Sequence, residues 1–413
     1  MFTDISVETN TIDLFVGCGG LSEGFEQSRK YKMIGAVEWE PSPVKELRNH
    51  LKNRWGIQDS EERVLQFDIQ RTEELFNGWK DKKFGESKGL DALVGNRQLD
   101  VIIGGPPCQA YSVAGRIRDE HGMREDYRNY LFESYLKVVQ HYKPRVFVFE
   151  NVPGILSAKP GDGSVRIIDL IQKAFADAGY AVLPDLSNAI IDMTEYGVPQ
   201  NRKRIIILGV SKEHYGDKAE AMVEKFYSSY LPEYKIEKKA TVRDAIGDLP
   251  KLRPLDEPIS YLGRKLSHSV SDPLINGHIS RFHNKRDIEL FKFLEEDIAS
   301  GRMKYTSAKS LKTLYTKLTG KTSNVHKYYV LRWDEPSNLI PAHLFKDGLR
   351  HIHPDPEQAR TITVREAARL QTFPDNYYFN CSQTDAFKMI GNAVPPLFAK
   401  KVAYAIYHLI QEN

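Results

Sequence analysis

One cysteine sits where chemistry is possible. Gly104-Gly105-Pro106-Pro107-Cys108-Gln109 follows the apolar run Leu99 to Ile103. Two prolines fix φ and remove two backbone donors, so the loop ahead of the thiol is stiff. A stiff loop that presents Cys108 suits a nucleophile, whereas a small buried cysteine after a proline turn is the plainer reading. A second cluster lies upstream. Asp13-Leu14-Phe15-Val16-Gly17-Cys18-Gly19-Gly20 follows an apolar run and leads into Leu21 to Phe25. Glycines there let the backbone turn sharply and approach a ligand closely. Glu38 ends the next apolar run, at a spacing from which a carboxylate can accept from both hydroxyls of a ribose. Trp39 beside it can stack on an adenine. GxGxxG is not matched cleanly and no GKS/T follows, which favours S-adenosylmethionine over NAD or ATP. A tight turn without a ligand is the competing reading.

These residues need elements to hold them. Thr11 to Phe15, Met33 to Glu38, Leu99 to Ile103, Arg145 to Phe149 and Arg204 to Val210 are rich in Val, Ile and Phe and are expected as buried strands. Tyr130 to Tyr142 and Val165 to Ala178 are expected as crossover helices. The alternation predicts an α/β fold, a doubly wound, Rossmann-like sheet with helices on both faces. In such a sheet ligands bind at the carboxyl ends of the strands, where Glu38 and Cys108 both fall. Asp81 to Arg97, rich in Gly and Lys, is expected as a surface insertion. After about Pro250 prolines interrupt the pattern. The expected organisation is a catalytic domain over 1–250, a smaller irregular domain over 251–350, and a return to the catalytic domain over 351–413. The last helix, Leu397 to Gln411, is expected beside the Gly-rich turn.

The 413 residues suffice for two or three domains. With 41% hydrophobic and 27% charged residues the composition is that of an ordinary globular enzyme. No apolar run approaches the roughly 20 residues of a membrane span, and no signal pattern opens the chain, so the cytoplasm is the expected location. Three cysteines in no paired pattern suggest neither disulfides nor a metal site. The net charge of +3 says little, but its distribution says more. No acidic residue stands between Asp297 and Asp334, where Lys309, Lys312 and Lys317 interleave with tyrosines. That run attracts phosphate, or is simply a solvated basic face.

Gly104 to Ser112, GGPPCQAYS, resembles the catalytic loop of the bacterial C5-cytosine DNA methyltransferases. Asp13 to Phe25 resembles that family's SAM-binding motif, and Phe147 to Val152 its Glu-Asn-Val motif. Tyr196 to Arg204 carries its QxRxR signature. Arg360 to Pro374 and Gly391 to Pro396 resemble its last motifs. Pro106 departs from the pattern, since many members have Phe there. The resemblance implies methyl transfer from SAM to C5 of a flipped-out cytosine in double-stranded DNA, leaving S-adenosylhomocysteine. It implies Cys108 as nucleophile, Glu150 as acid at ring N3, Arg204 at the cytosine O2 and Arg202 as its neighbour in the pocket. Phe15, Gly17, Gly19, Gly20, Leu21, Glu38, Trp39, Asp68, Ile69, Pro106, Leu131, Asn392 and Val394 would line the cofactor site. Gln109, Ser112, Asn151, Gln200 and the three lysines would meet DNA. Ser112 to Tyr127 is expected as a closing loop. A monomer that needs no metal, paired in function with a restriction endonuclease, completes the expectation. A tRNA cytosine methyltransferase of the same fold and a catalytically silent DNA-binding regulator are the alternatives.

Overall fold

A computed structural model describes residues 9–107, 131–159, 164–323 and 327–412. Cys108, Gln109, Ser112 and the expected closing loop lie outside the described residues. The chain forms two compact units. The first comprises residues 1–196, 203–237 and 393–413, and the second 197–202 and 238–392.

The first unit is built on a mixed eight-stranded sheet in the order β3-β2-β1-β6-β7-β10-β8, with β9 (Ile190–Asp192) paired to β10. β1 (Thr9–Leu14), β2 (Tyr31–Glu38), β3 (Val64–Gln66), β6 (Val101–Gly104) and β7 (Val146–Asn151) run parallel. β10 (Lys203–Ser211) runs antiparallel to β7 and to β8 (Tyr180–Ala181). The expected strands are all present, with bounds shifted by at most two residues. Ile12, Leu14, Val101, Ile102, Ile103, Val146, Phe147, Val148, Ile205 and Ile207 are buried, as the central strands of a sheet covered on both faces require. The order reverses between β1 and β6, and there the carboxyl-end loops diverge and leave a crevice.

The Asp81 to Arg97 expectation needs correction. β4 (Trp79–Asp81) and β5 (Gly85–Ser87) form an antiparallel hairpin, and a helix spans Gly89–Val94. Leu90 and Val94, one helical turn apart, are buried with Trp79. The Gly- and Lys-rich composition masked two inward apolar residues at helical spacing.

The C-terminal helix, Pro396–Gln411, packs on the first helix, α1 (Gly20–Ser28), as expected. The approach is close. A Cβ at Gly20 would lie 2.2 Å from the Val394 carbonyl, and one at Gly24 would lie 2.4 Å from the Ala399 Cβ. Tyr31 donates to the Ala403 carbonyl at 2.9 Å and ties β2 to the same helix.

The second unit is wider than the 251–350 stretch. It holds a hairpin of β11 (Pro254–Tyr261) and β12 (Arg264–His268) and helices at Lys285–Ala299, Ala308–Thr319, Val364–Leu370 and Gln383–Asn392. Phe291, Leu294, Leu311, Leu314, Tyr328, Val330 and Ile352 form its apolar cluster. Among the described residues, no helix is long and apolar enough to cross a membrane.

Candidate active site

The candidate site residues of the first unit gather mainly at its strand ends. At the end of β1 the chain turns through Phe15 (φ 58°), Gly17 (φ 56°) and Gly19 (φ 80°) before α1 begins. Left-handed backbone is ordinary for glycine and costly for phenylalanine, so the strain at Phe15 sits in the ligand turn itself. Glu38, at the end of β2, holds this turn. Its Oε2 accepts from the Gly17 backbone at 2.8 Å and its Oε1 from the Glu40 backbone at 2.9 Å. Burial raises the Glu38 carboxyl above its ordinary value, against backbone bonds from Glu40, Gly17 and Trp39. A carboxylate offers about four lone-pair sites, so acceptor capacity remains for hydroxyls. A side chain at Gly17 would meet nothing within 4 Å, so the turn faces open space. Trp39 is 45% exposed beside it. The donor-and-acceptor set and the open face fit a nucleoside such as that of SAM.

Asp68 follows β3, half-buried, with Ile69 buried next to it. Leu21 and Val394 are buried, as are Pro106 and Leu131. Asn392 is exposed and falls in the second unit.

At the end of β6 comes the Pro106-Pro107 loop, braced from β7. The Asn151 amide donates to the Pro106 carbonyl at 3.2 Å, and its own carbonyl accepts from the Val152 backbone at 2.9 Å. Asn151 is buried, and its bond to the Pro106 carbonyl braces the Pro106-Pro107 loop. Glu150 stands beside that loop. A Cβ at Gly105 would lie 2.6 Å from the Glu150 Oε2, so a glycine there lets the carboxyl come flush with the loop. Arg204, at the start of β10, pairs with Glu150 through Nε and Oε1 at 3.0 Å. Both side chains retain 12% exposure, enough for a ligand to reach them.

Gln200 and Arg202 differ from Arg204. The Gln200 amide donates to the Leu370 carbonyl at 2.9 Å and to the Gln371 side chain, and its oxygen accepts from the Ile340 backbone at 3.1 Å. Arg202 is 1% exposed and donates to the carbonyls of Ile340 and Gly391 at 3.4 and 3.3 Å. Both brace the second unit through these bonds. Burying a cation is costly unless carbonyls or carboxylates satisfy it, and these carbonyls serve that purpose.

Several supporting residues escaped the sequence reading. Asp13 is buried at the end of β1 and accepts from the Ser22 hydroxyl at 2.5 Å. Burial pushes its carboxyl up to about 7, against the pull of Ser22. Its place directly before the Gly-rich turn was the available signal. Glu23 on α1 accepts from Gln27 at 2.8 Å and Trp55 at 2.8 Å and pairs with His50 at 2.7 Å. Burial opposes its ionisation, but the His50, Gln27 and Trp55 bonds outweigh it and hold the carboxyl below its ordinary value. Tyr135 donates to the carbonyls of Val148 at 2.9 Å and Ile102 at 3.3 Å, holding the neighbouring strands β6 and β7. Nothing local marks these partners.

In the second unit, Lys309, Lys312 and Lys317 lie on the Ala308–Thr319 helix, which buries Leu311 and Leu314. Lys309 and Lys317 are exposed and Lys312 is half-buried. Among the described residues, no group of His, Cys, Asp and Glu could hold a metal ion.

Comparison with known proteins agrees with this arrangement. Residues 9–408 match the profile of the C-5 cytosine-specific DNA methylases. The chain is 34% identical to the type II methyltransferase M.Bpa9945I of Bacillus paralicheniformis, over 97% of this chain and 98% of the relative. It is 31% identical to the type II methyltransferase M.AgeI of Thalassovita gelatinovora, over 96% and 98%. Its fold resembles that of a chain from an E. coli prophage described as a DNA modification methyltransferase, at TM-score 0.64 and 23% identity, covering 98% of this chain and all of that one. It also resembles the S. pombe Dnmt2 methyltransferase at TM-score 0.54 and 14% identity, covering 98% and 99%.

Proposed function

From the premise that the chain belongs to the C-5 cytosine-specific DNA methylases, and so is a SAM-dependent DNA cytosine-5-methyltransferase, we propose that Cys108, Glu150 and Arg204 carry the reaction. The observation that supports this most is the Glu150–Arg204 pair lying flush with the Pro106-Pro107 loop, one residue before the thiol. Carbon 5 of cytosine is a poor nucleophile. The Cys108 thiolate adds to C6, breaking the ring conjugation and placing electron density on C5. Glu150 donates a proton to ring N3 as that density builds, and its other oxygen accepts from the 4-amino group. Arg204 turns from Glu150 to the cytosine O2. SAM supplies the electrophilic methyl that C5 takes up. A water then takes the C5 proton, whose electron pair re-forms the C5–C6 double bond and expels the Cys108 thiolate, while ring N3 returns its proton to Glu150.

On the cofactor side, Glu38 holds the ribose hydroxyls and Trp39 the adenine, with Asp68 and Ile69 flanking the ring. The target carbon is stacked inside a duplex, so the base must be flipped out at a cost of a few kcal/mol. The second unit is the sequence reader, with the 251–350 segment as its variable part and Lys309, Lys312 and Lys317 on phosphate. The type II relatives support a role in protecting DNA from a cognate restriction endonuclease. The protein acts as a monomer in the cytoplasm. These DNA-methyltransferase relatives do not favour the tRNA or the silent-regulator alternative.

The test is covalent trapping. DNA with 5-fluorocytosine at the target cannot lose fluorine from C5 as a proton, so wild type is trapped as an adduct with the strand. Cys108→Ala abolishes both adduct and methyl transfer while keeping SAM and DNA binding. Substantial turnover by Cys108→Ala sinks the assignment. Bisulfite sequencing of DNA from expressing cells reads the target site.

A further inference from the structure

The β4–β5 hairpin lies outside every motif of the resemblance, yet it reaches the residue read as the adenine partner. Lys83, in the hairpin turn, places its ammonium 3.8 Å from the centroid of the Trp39 ring and 4.7 Å from that of Phe84. Phe84 meets Trp39 edge-on, with centroids 5.5 Å apart and planes at 65°. Phe84 packs in turn on Phe67 at 5.2 Å, and Phe67 stacks on Trp79 of β4 at 3.8 Å and 22°.

The turn is also tied by hydrogen bonds. Asp81 Oδ1 accepts from the Phe84 backbone at 2.7 Å and the Lys83 backbone at 2.9 Å, while its Oδ2 pairs with Arg71 at 2.6 Å. The Arg71 guanidinium lies 4.7 Å from the Phe67 ring. Trp39 thus has one face under a cation and one edge against Phe84, while 45% of its surface stays open.

We propose that the β4–β5 hairpin is a wall of the cofactor site, in which Lys83 and Phe84 position the Trp39 indole to stack on the adenine of SAM. This rests on the reading of Trp39 as the adenine partner. A free exposed indole loses rotamer freedom when a ligand stacks on it, and a ring already held in place loses less. Lys83 and Phe84 are positioning residues and take no part in the chemical step.

Calorimetry of SAM and S-adenosylhomocysteine binding, with steady-state kinetics on the full chain, tests the proposal. Lys83 is exposed, so Lys83→Ala leaves folding intact; Phe84→Leu keeps an apolar contact in the turn. Both variants weaken cofactor binding by about three- to ten-fold, the scale of a lost cation–π or ring contact. KM for SAM rises in step, kcat at saturating SAM stays at the wild-type value, and Lys83→Arg restores affinity. Trp39→Ala, measured in parallel, weakens binding more. If Trp39→Ala weakens binding while Lys83→Ala leaves it unchanged or tighter, the hairpin is no wall of the site. If Trp39→Ala itself leaves binding unchanged, the adenine reading falls and the proposal with it.

Discussion

Glu150 and Arg204 come from neighbouring antiparallel strands and meet at 3.0 Å, each with a remnant of exposure. Arg202, two residues earlier, is buried on backbone carbonyls. The two arginines of one signature thus have different partners: Arg204 pairs with the Glu150 carboxylate and Arg202 with backbone carbonyls. Glu150→Gln keeps the size and one acceptor but cannot hold the acidic proton. The chemical step should slow by roughly 10²-fold or more, the usual scale for a lost general acid, with SAM affinity little changed. Single-turnover rates within a few-fold of wild type would make Glu150 structural.

Elements fix where these side chains stand. α1 and the C-terminal helix approach so closely that Gly24 has the Pro396 carbonyl 2.5 Å and the Ala399 Cβ 2.4 Å from where its own Cβ would be. Gly24→Ala forces two packed helices apart, and overpacking of this kind costs about 1–3 kcal/mol. The Gly-rich turn at the start of α1 would shift with it, so both the melting temperature and SAM affinity should fall. An unchanged melting temperature by calorimetry would mean that the helices adjust freely. The Ala308–Thr319 helix buries Leu311 and Leu314 in the apolar cluster and leaves Lys309 and Lys317 exposed. Replacing Lys309, Lys312 and Lys317 together with Ala should weaken binding to all DNA alike, and should flatten the salt slope by up to about 0.9 per lost phosphate contact. The methylated sequence should stay the same, because phosphate contacts carry no sequence information. Binding titrations over a salt series decide this; an unchanged slope removes the helix from the interface.

At the scale of the whole molecule, the second unit keeps a polar interior. Arg360 is buried against Glu366, which also accepts from the Thr363 backbone and lies 3.5 Å from His353. Arg360 and its neighbours hold the Glu366 carboxyl well below the usual range despite burial. Four histidines, His268, His278, His283 and His353, lie near this pair, and His351 is buried elsewhere in the same unit. Burial lowers His268 to about 4 and His283, His351 and His353 to about 3, and it lowers His278 as well. A histidine depressed in the fold takes up its proton more readily when unfolded. Its contribution is complete above about 6.5 and is lost as pH falls toward 3, at up to about 1.4 kcal/mol per pH unit for each group. Glu295 has the opposite sign. Burial raises its carboxyl, so its contribution is present at low pH and lost as pH rises above 4.5. Within the second unit the histidines outnumber it, so this unit should unfold at a lower temperature at pH 5 than at pH 7. A melting temperature equal or higher at pH 5 would contradict the neutral histidine interior.

Sequence alone determined the order of the strands and the residues at their carboxyl ends. Strand burial writes itself as runs of Val, Ile and Phe, and catalytic residues in an open α/β sheet gather where those runs stop, so Glu38, Pro106 and Glu150 were legible locally. The last helix was expected beside the Gly-rich turn, but the close approach at Gly20 and Gly24 is a property of the fold. Tertiary structure alone decided which polar residues face a ligand and which brace the fold. Gln200, Arg202 and Asn151 look like ligand residues by type, but their partners Ile340, Leu370, Gly391 and Pro106 lie between 45 and 189 residues away in the chain. The same holds for Lys83 on Trp39 and for the histidines around Arg360 and Glu366. A hydrogen bond or a ring contact depends on distance in space, and for residues far apart in sequence only the folded chain sets that distance.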